Sequence, residues 1–200
     1  MADRLYLSVW FPGFHEQEML PRVVSVLKQF PFSSQRPGIN HMSVYSIGWD
    51  EPIAFQQNFD HLTDPERVLA LAGEFLHEDN AYELEAMWDL WFPVREGDLD
   101  TTWIQRPVTV KFTAFGVQFE QSTYQQNGHI QIDFGLDTPF LYEEVDFTES
   151  VEKRIKANVQ KLVNFTNDIE KNCGISGRVL WSESDDNLAQ KLIDRLQRVQ

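Results

Sequence analysis

Glu83, Glu85 and Asp89 fall at alternating positions in a segment, 82–92, whose apolar and polar residues alternate strictly. On a strand that pattern puts all three carboxylates on one face, with Leu84, Ala86, Trp88, Leu90 and Phe92 on the other. Residues two apart lie about 6.5–7 Å from each other along a strand. That spacing is compatible with glycoside hydrolysis by a pair of carboxylates, and Trp91 on the same face offers a ring to stack on a sugar. The competing reading is the solvated face of an antiparallel sheet whose other face is core. Face polarity alone establishes no site.

Other reactive residue types form no recognised constellation. His15-Glu16-Gln17-Glu18 and His77-Glu78-Asp79-Asn80 both begin like a zinc-protease helix, but Met19 and Ala81 stand where the second histidine belongs. His41, His61 and His129 have no partner at metal-ligand spacing. A site assembled in space from His15, His41, His61 or His77 with Asp60 or Glu78 is the alternative to ordinary surface histidines. No metal is expected. Cys173, the one cysteine, falls on an apolar stripe at a helix C-terminus, where the dipole disfavours a thiolate. Gly174-Ile175-Ser176-Gly177 is a tight turn, not a nucleophile elbow. Without a glycine-rich phosphate loop, no nucleotide or other cofactor is expected.

Charge is the more unusual feature. The 200 residues carry a net charge of −14. Residues 1–100 hold 17 acids against 6 Lys/Arg, net −11, and residues 101–200 hold 14 against 11, net −3. Between residues 74 and 100 lie nine acids and only Arg95. A field of one sign steers basic partners and repels polyanions, which argues for a basic protein and against nucleic acid. Solubility alone also accounts for such charge. No apolar run approaches the roughly 20 residues of a spanning helix, so no membrane partner is expected. The N-terminus lacks a basic region followed by a long apolar stretch, and a lone cysteine suits a reducing compartment, which together point to a cytoplasmic protein.

The elements that must position these residues follow from periodicity. Strands are predicted at 5–11, 39–49, 82–92, 108–114, 130–136 and 178–181, with a further edge strand at 52–59. Helices are predicted at about 18–30, with Pro21 in the first turn, and at about 63–77, started by a Thr63–Glu66 capping box. A long helix follows at about 149–173, and a last one is capped by Ser184 and buries Leu188, Leu192, Leu196 and Val199. Gly116 marks a bulge or turn, and 93–107 reads as a connection carrying Trp103.

The order β-α-β-β-α-β, then β-β-α-β-α, predicts an α+β two-layer sandwich: a mainly antiparallel sheet with helices on one side and a ferredoxin-like first half. The chain is expected to be one domain, 1–200; the alternative is two subdomains, 1–93 and 106–200, joined by 93–107. If the strands share one sheet, Glu83, Glu85, Asp89, Lys111, Gln131 and Asp133 lie on its polar face, with Trp91 beside them and Trp103 at the border as an anchor. The function expected first is a non-catalytic acidic domain that binds a basic protein, as an inhibitor or immunity-like protein does. A small-molecule or carbohydrate-active enzyme using the face's carboxylates, and a structural domain without a ligand, are the alternatives.

Overall fold

A computed structural model describes residues 2–60, 63–95, 102–142, 148–183 and 188–197. Seven strands are present: β1 (Arg4–Trp10), β2 (Ile39–Ser46), β3 (Ile53–Asn58), β4 (Asn80–Pro93), β5 (Trp103–Phe115), β6 (Ile130–Leu136) and β7 (Gly177–Ser182). The helices are α1 (Glu16–Leu27), α2 (Pro65–Ala72), α3 (Tyr124–Asn127), α4 (Thr138–Leu141), α5 (Glu149–Asn172) and α6 (Leu188–Gln197). The strands form one sheet in the order β3-β2-β4-β5-β6-β1-β7, and every neighbouring pair is antiparallel.

This order explains why one face carries none of the crossover helices, and only the short α3 reaches it, at one end of the sheet. With directions alternating, β1 and β2 run the same way, as do β3 and β4, and β6 and β7. Each of these three pairs is joined through a helix, and such crossovers are right-handed. β1 runs opposite to β3 and β6, and its crossover also moves across the sheet in the opposite sense. Equal handedness therefore puts all three sets of helices on the same side. Beneath them lies the core: Leu5, Leu7 and Val9 of β1, Tyr82, Leu84, Ala86, Trp88 and Leu90 of β4, Val110, Phe112 and Ala114 of β5, and Ile130, Ile132 and Phe134 of β6.

α5 supplies the longest apolar stripe, with Val151, Ile155, Val159, Leu162, Phe165 and Ile169 buried at helical spacing. Replacing the fully buried Leu162 with alanine should cost roughly 2–5 kcal/mol. A urea-unfolding loss below about 0.5 kcal/mol, the range of surface substitutions, would contradict this packing.

The two-layer α+β arrangement is as expected, but the first half is not ferredoxin-like. β1 pairs with β6 and β7 rather than with a strand of its own half. The stretch 93–107 is strand at both ends, because β4 and β5 stay paired from Ala81↔Phe115 to Pro93↔Trp103; the connection between them is 94–102. α1 starts at Glu16, so Pro21 lies in the helix interior and not in the first turn. The cap of α2 is Asp64, whose carboxylate accepts from Glu66 N at 2.8 Å, while Thr63 donates to Asp60 O. Asp64 is one residue nearer the helix and reaches its free N–H directly. α2 ends at Ala72 and a 3-10 turn continues it over Gly73–Phe75, two residues short of the expected 77. Val24 of α1 and Phe75, three residues beyond α2, are only half-buried. The expected Ser184 cap, the Leu196 side chain and Val199 fall outside the described residues, as do His61, Glu96, Asp98 and Asp100.

The helix-free sheet face as candidate functional site

Side chains on the bare face align in rows across all seven strands. One row, by register, is Asn58–His41–Glu85–Lys111–Asp133–Tyr6–Trp181. The next is Gln56–Ser43–Glu83–Thr113–Gln131–Ser8–Val179. Strand alternation produces these rows, since each strand turns its apolar set toward the helices. A third row turns apolar at Tyr45, Ala81 and Phe115. There Phe119 and Tyr124 fold over the sheet end and pack on it.

Glu83, Glu85 and Asp133 are thus brought together as expected, with Lys111 at their centre. Lys111 Nζ lies 3.1 Å from a Glu83 oxygen and 3.2 Å from a Glu85 oxygen. Burial works against the Lys111 ammonium, but the two glutamates outweigh it and hold its pKa above the ordinary lysine value. Arg4 pairs with Asp133 at 2.7 Å. Tyr6 stacks on Trp181 with centroids 4.6 Å apart, and Trp181 Nε1 donates to Ser8 Oγ. The centre of the face is therefore a network of opposite charges that largely neutralise one another.

Asp89, Trp91 and Trp103 are not part of it. β2 stops pairing with β4 at Ile39↔Ala86, and beyond that point a loop and α5 close over the strand. The Asp89 carboxylate, 8% exposed, accepts from Ser33 Oγ, Ser34 N and Ser34 Oγ. Burial pushes this carboxyl upward, but those hydrogen bonds and the nearby Lys161 outweigh it and keep its pKa below the usual aspartate value. An ionised carboxylate with three donors holds the loop in place and leaves no lone proton to offer as an acid. The Trp91 ring lies under the Arg154 guanidinium at 3.9 Å, so that side of the ring is closed to a sugar. Trp103 is buried, edge-on to Tyr142 at 5.6 Å, and presents no exposed anchor.

The structure also shows a relay that sequence reasoning missed. Asn58 Oδ1 is 2.7 Å from His41 Nδ1, and His41 Nε2 is 2.8 Å from Ser43 Oγ. A carbonyl oxygen only accepts, so Nδ1 carries a proton, and in the neutral ring Nε2 then accepts from the serine hydroxyl. The i, i+2 spacing of His41 and Ser43 on a strand was the available signal. The order hydroxyl–imidazole–amide matches that of a serine nucleophile with its base and orienting group. Ser43 is only 2% exposed, however, so a substrate carbonyl has no approach to Oγ. The relay instead ties β3 to β2 across the face.

Cys173 is equally closed: it is buried, burial pushes its thiol pKa up, and Sγ donates to Ser25 O. Among the described residues no three His, Cys, Asp or Glu side chains group as a metal site, and no helix is long and apolar enough to cross a membrane. Comparison of the chain with models of known families, with curated proteins and with solved structures returns no match to any of them.

Proposed function

We propose that the protein is a non-catalytic, acidic binding domain that captures a basic protein on the sheet face away from its crossover helices, as an inhibitor or immunity-like protein does. The observation that carries this reading is the face itself. Two rows, polar from β3 to β1 and ending at Trp181 and Val179 on β7, cross the sheet with none of the crossover helices over them, in a chain of net charge −14. The described groups that chemistry would need are engaged elsewhere: Asp89 in its loop, Ser43 beneath the relay and Cys173 in the core. An open polar face on an acidic chain suits recognition of another surface, where complementary charge mainly raises the association rate.

The test uses a defined probe, a 14-residue amphipathic helical peptide of leucine and lysine, with the same peptide carrying glutamate for lysine as control. The parent should bind the lysine peptide and not the glutamate peptide. The double variant Glu83→Lys/Glu85→Lys should bind the lysine peptide about tenfold more slowly at low salt, with the difference shrinking as salt rises. The variant sets two further lysines beside Lys111, so it should unfold at lower urea than the parent, and circular dichroism checks that it is folded before the rates are compared. Equal association rates for parent and variant across a salt series would remove this face from consideration.

A further inference from the structure

The geometry points to an anchor for that partner, and it rests on the protein-binding reading above: Ile47 and Trp49, in the turn between β2 and β3, insert into a Lys/Arg-rich amphipathic segment of the partner protein while the carboxylates around them pair with its cations.

Ile47 has φ 71°, a left-handed conformation that is an outlier for a β-branched residue and that glycine or asparagine adopts far more readily. It is pinned there from both sides. Its N–H donates to Asp79 O and its carbonyl accepts from Glu120 N, each at 2.8 Å. Even so, its side chain is 64% exposed, so core packing does not account for an isoleucine at this position. Two residues on, Trp49 is 40% exposed. Its ring is held from below by Tyr45 at 4.7 Å and Phe119 at 5.2 Å. A large apolar side chain already fixed in place and half in water loses little freedom on binding, which is what an interface anchor needs. Trp49 packs on the apolar third row, so this patch continues the polar face.

Charge identifies the occupant. Asp50 and Glu51 lie in the same turn, and Asp79 and Glu120 are the residues whose backbones grip Ile47. Among the described residues, no lysine or arginine forms an ion pair with any of these four. The acids at the sheet centre, by contrast, are already matched by Lys111 and Arg4. The negative charge around the exposed apolar pair therefore has no lysine or arginine against it, only His77 3.4 Å from Asp79, and a cationic amphipathic segment satisfies both.

Substituting Ile47 separates an anchor from a structural residue without changing charge. Ile47→Asn, and Ile47→Gly as a second variant, suit φ 71° better than isoleucine. The unfolding midpoint in urea should stay the same or rise, while affinity for the leucine–lysine peptide should fall tenfold or more. Unchanged affinity overturns the anchor. So does a lowered midpoint, with or without lost affinity, because it marks Ile47 as a packing residue. If Ile47→Asn binds normally while Glu83→Lys/Glu85→Lys does not, the anchor fails and the sheet-face reading stands. If the parent does not bind the lysine peptide at all, both fail.

Discussion

Replacing Asn158 with leucine should destabilise the protein by about 4 kcal/mol, a large share of the roughly 5–15 kcal/mol that holds a typical domain together. Asn158 sits on the buried stripe of α5 and is 1% exposed. Its Oδ1 accepts from Trp91 N at 2.8 Å, and its Nδ2 donates to Trp91 O at 3.0 Å and Pro139 O at 2.9 Å. The amide stands in for a missing strand. Past Ile39↔Ala86, β4 has no partner on its β2 side, and backbone groups that point there need other ligands. Ser33 N donates to Met87 O, Lys161 Nζ donates to Asp89 O, and Asn158 takes both groups of Trp91. Leucine keeps the branched shape but strands three polar backbone groups, at about 1–3 kcal/mol each. Asn158→Asp should do no better, since a carboxylate can accept from Trp91 N but only repels the two carbonyls. Urea unfolding of both variants checks this, and a loss below about 1 kcal/mol for either would mean water replaces the amide at no cost.

Asn158 also shows how far the sequence could be read. Its stripe was plain, since Val151, Ile155, Val159 and Leu162 recur at helical spacing, and an asparagine on such a stripe is itself a sign of buried backbone needing a partner. Which backbone was not visible, because that depends on where β2 ends. Alternation identified the faces of β4, β5 and β6 for the same reason that it builds them: one face is buried, so a slip of one residue would expose it. Strand order was not legible. β1 lies between β6 and β7, and those pairings join residues more than 120 apart, which no local pattern records. Helix starts went astray where two caps competed, as with Thr63 and Asp64, or where Pro21 suggested a first turn that begins earlier.

The candidate site divides in the same way. Parity alone placed Glu83, Glu85, Lys111 and Asp133 together, and the structure brings them together. Parity also placed Asp89 and Trp91 there, but α5 and the loop carrying Ser33 and Ser34 close over that end of β4. The exposed pair Ile47 and Trp49 was hidden for a different reason. The run 39–49 reads as a single strand by composition, and only the backbone shows that it breaks at Ser46 and turns left-handed at Ile47.

Mild acid should destabilise the protein through His129, by about 2 kcal/mol between pH 7 and pH 5. The ring is 8% exposed and lies between Phe14 and Tyr124, each 4.7 Å away by centroid. Its Nδ1 accepts from Phe11 N at 3.0 Å, which requires that nitrogen to be unprotonated. Burial, with His15 adding to it, pushes the pKa down to about 4 from an ordinary 6.5. The unfolded chain therefore binds a proton that the folded chain refuses. The stabilisation is fully present above pH 6.5 and declines as pH falls through the window to 4, reaching about 3 kcal/mol in total. Asp89, whose carboxyl is held below its ordinary 3.8, contributes a loss only at lower pH and leaves the window to His129. His129→Gln keeps an acceptor within reach of Phe11 N but cannot titrate. It should start less stable at pH 7, because the stacked ring is gone, and then show little change down to pH 5. Urea midpoints measured every half unit between pH 4.5 and 7.5 distinguish the two proteins. A parent that is as stable at pH 5 as at pH 7, or a variant that keeps the parent's slope, would place the acid sensitivity elsewhere.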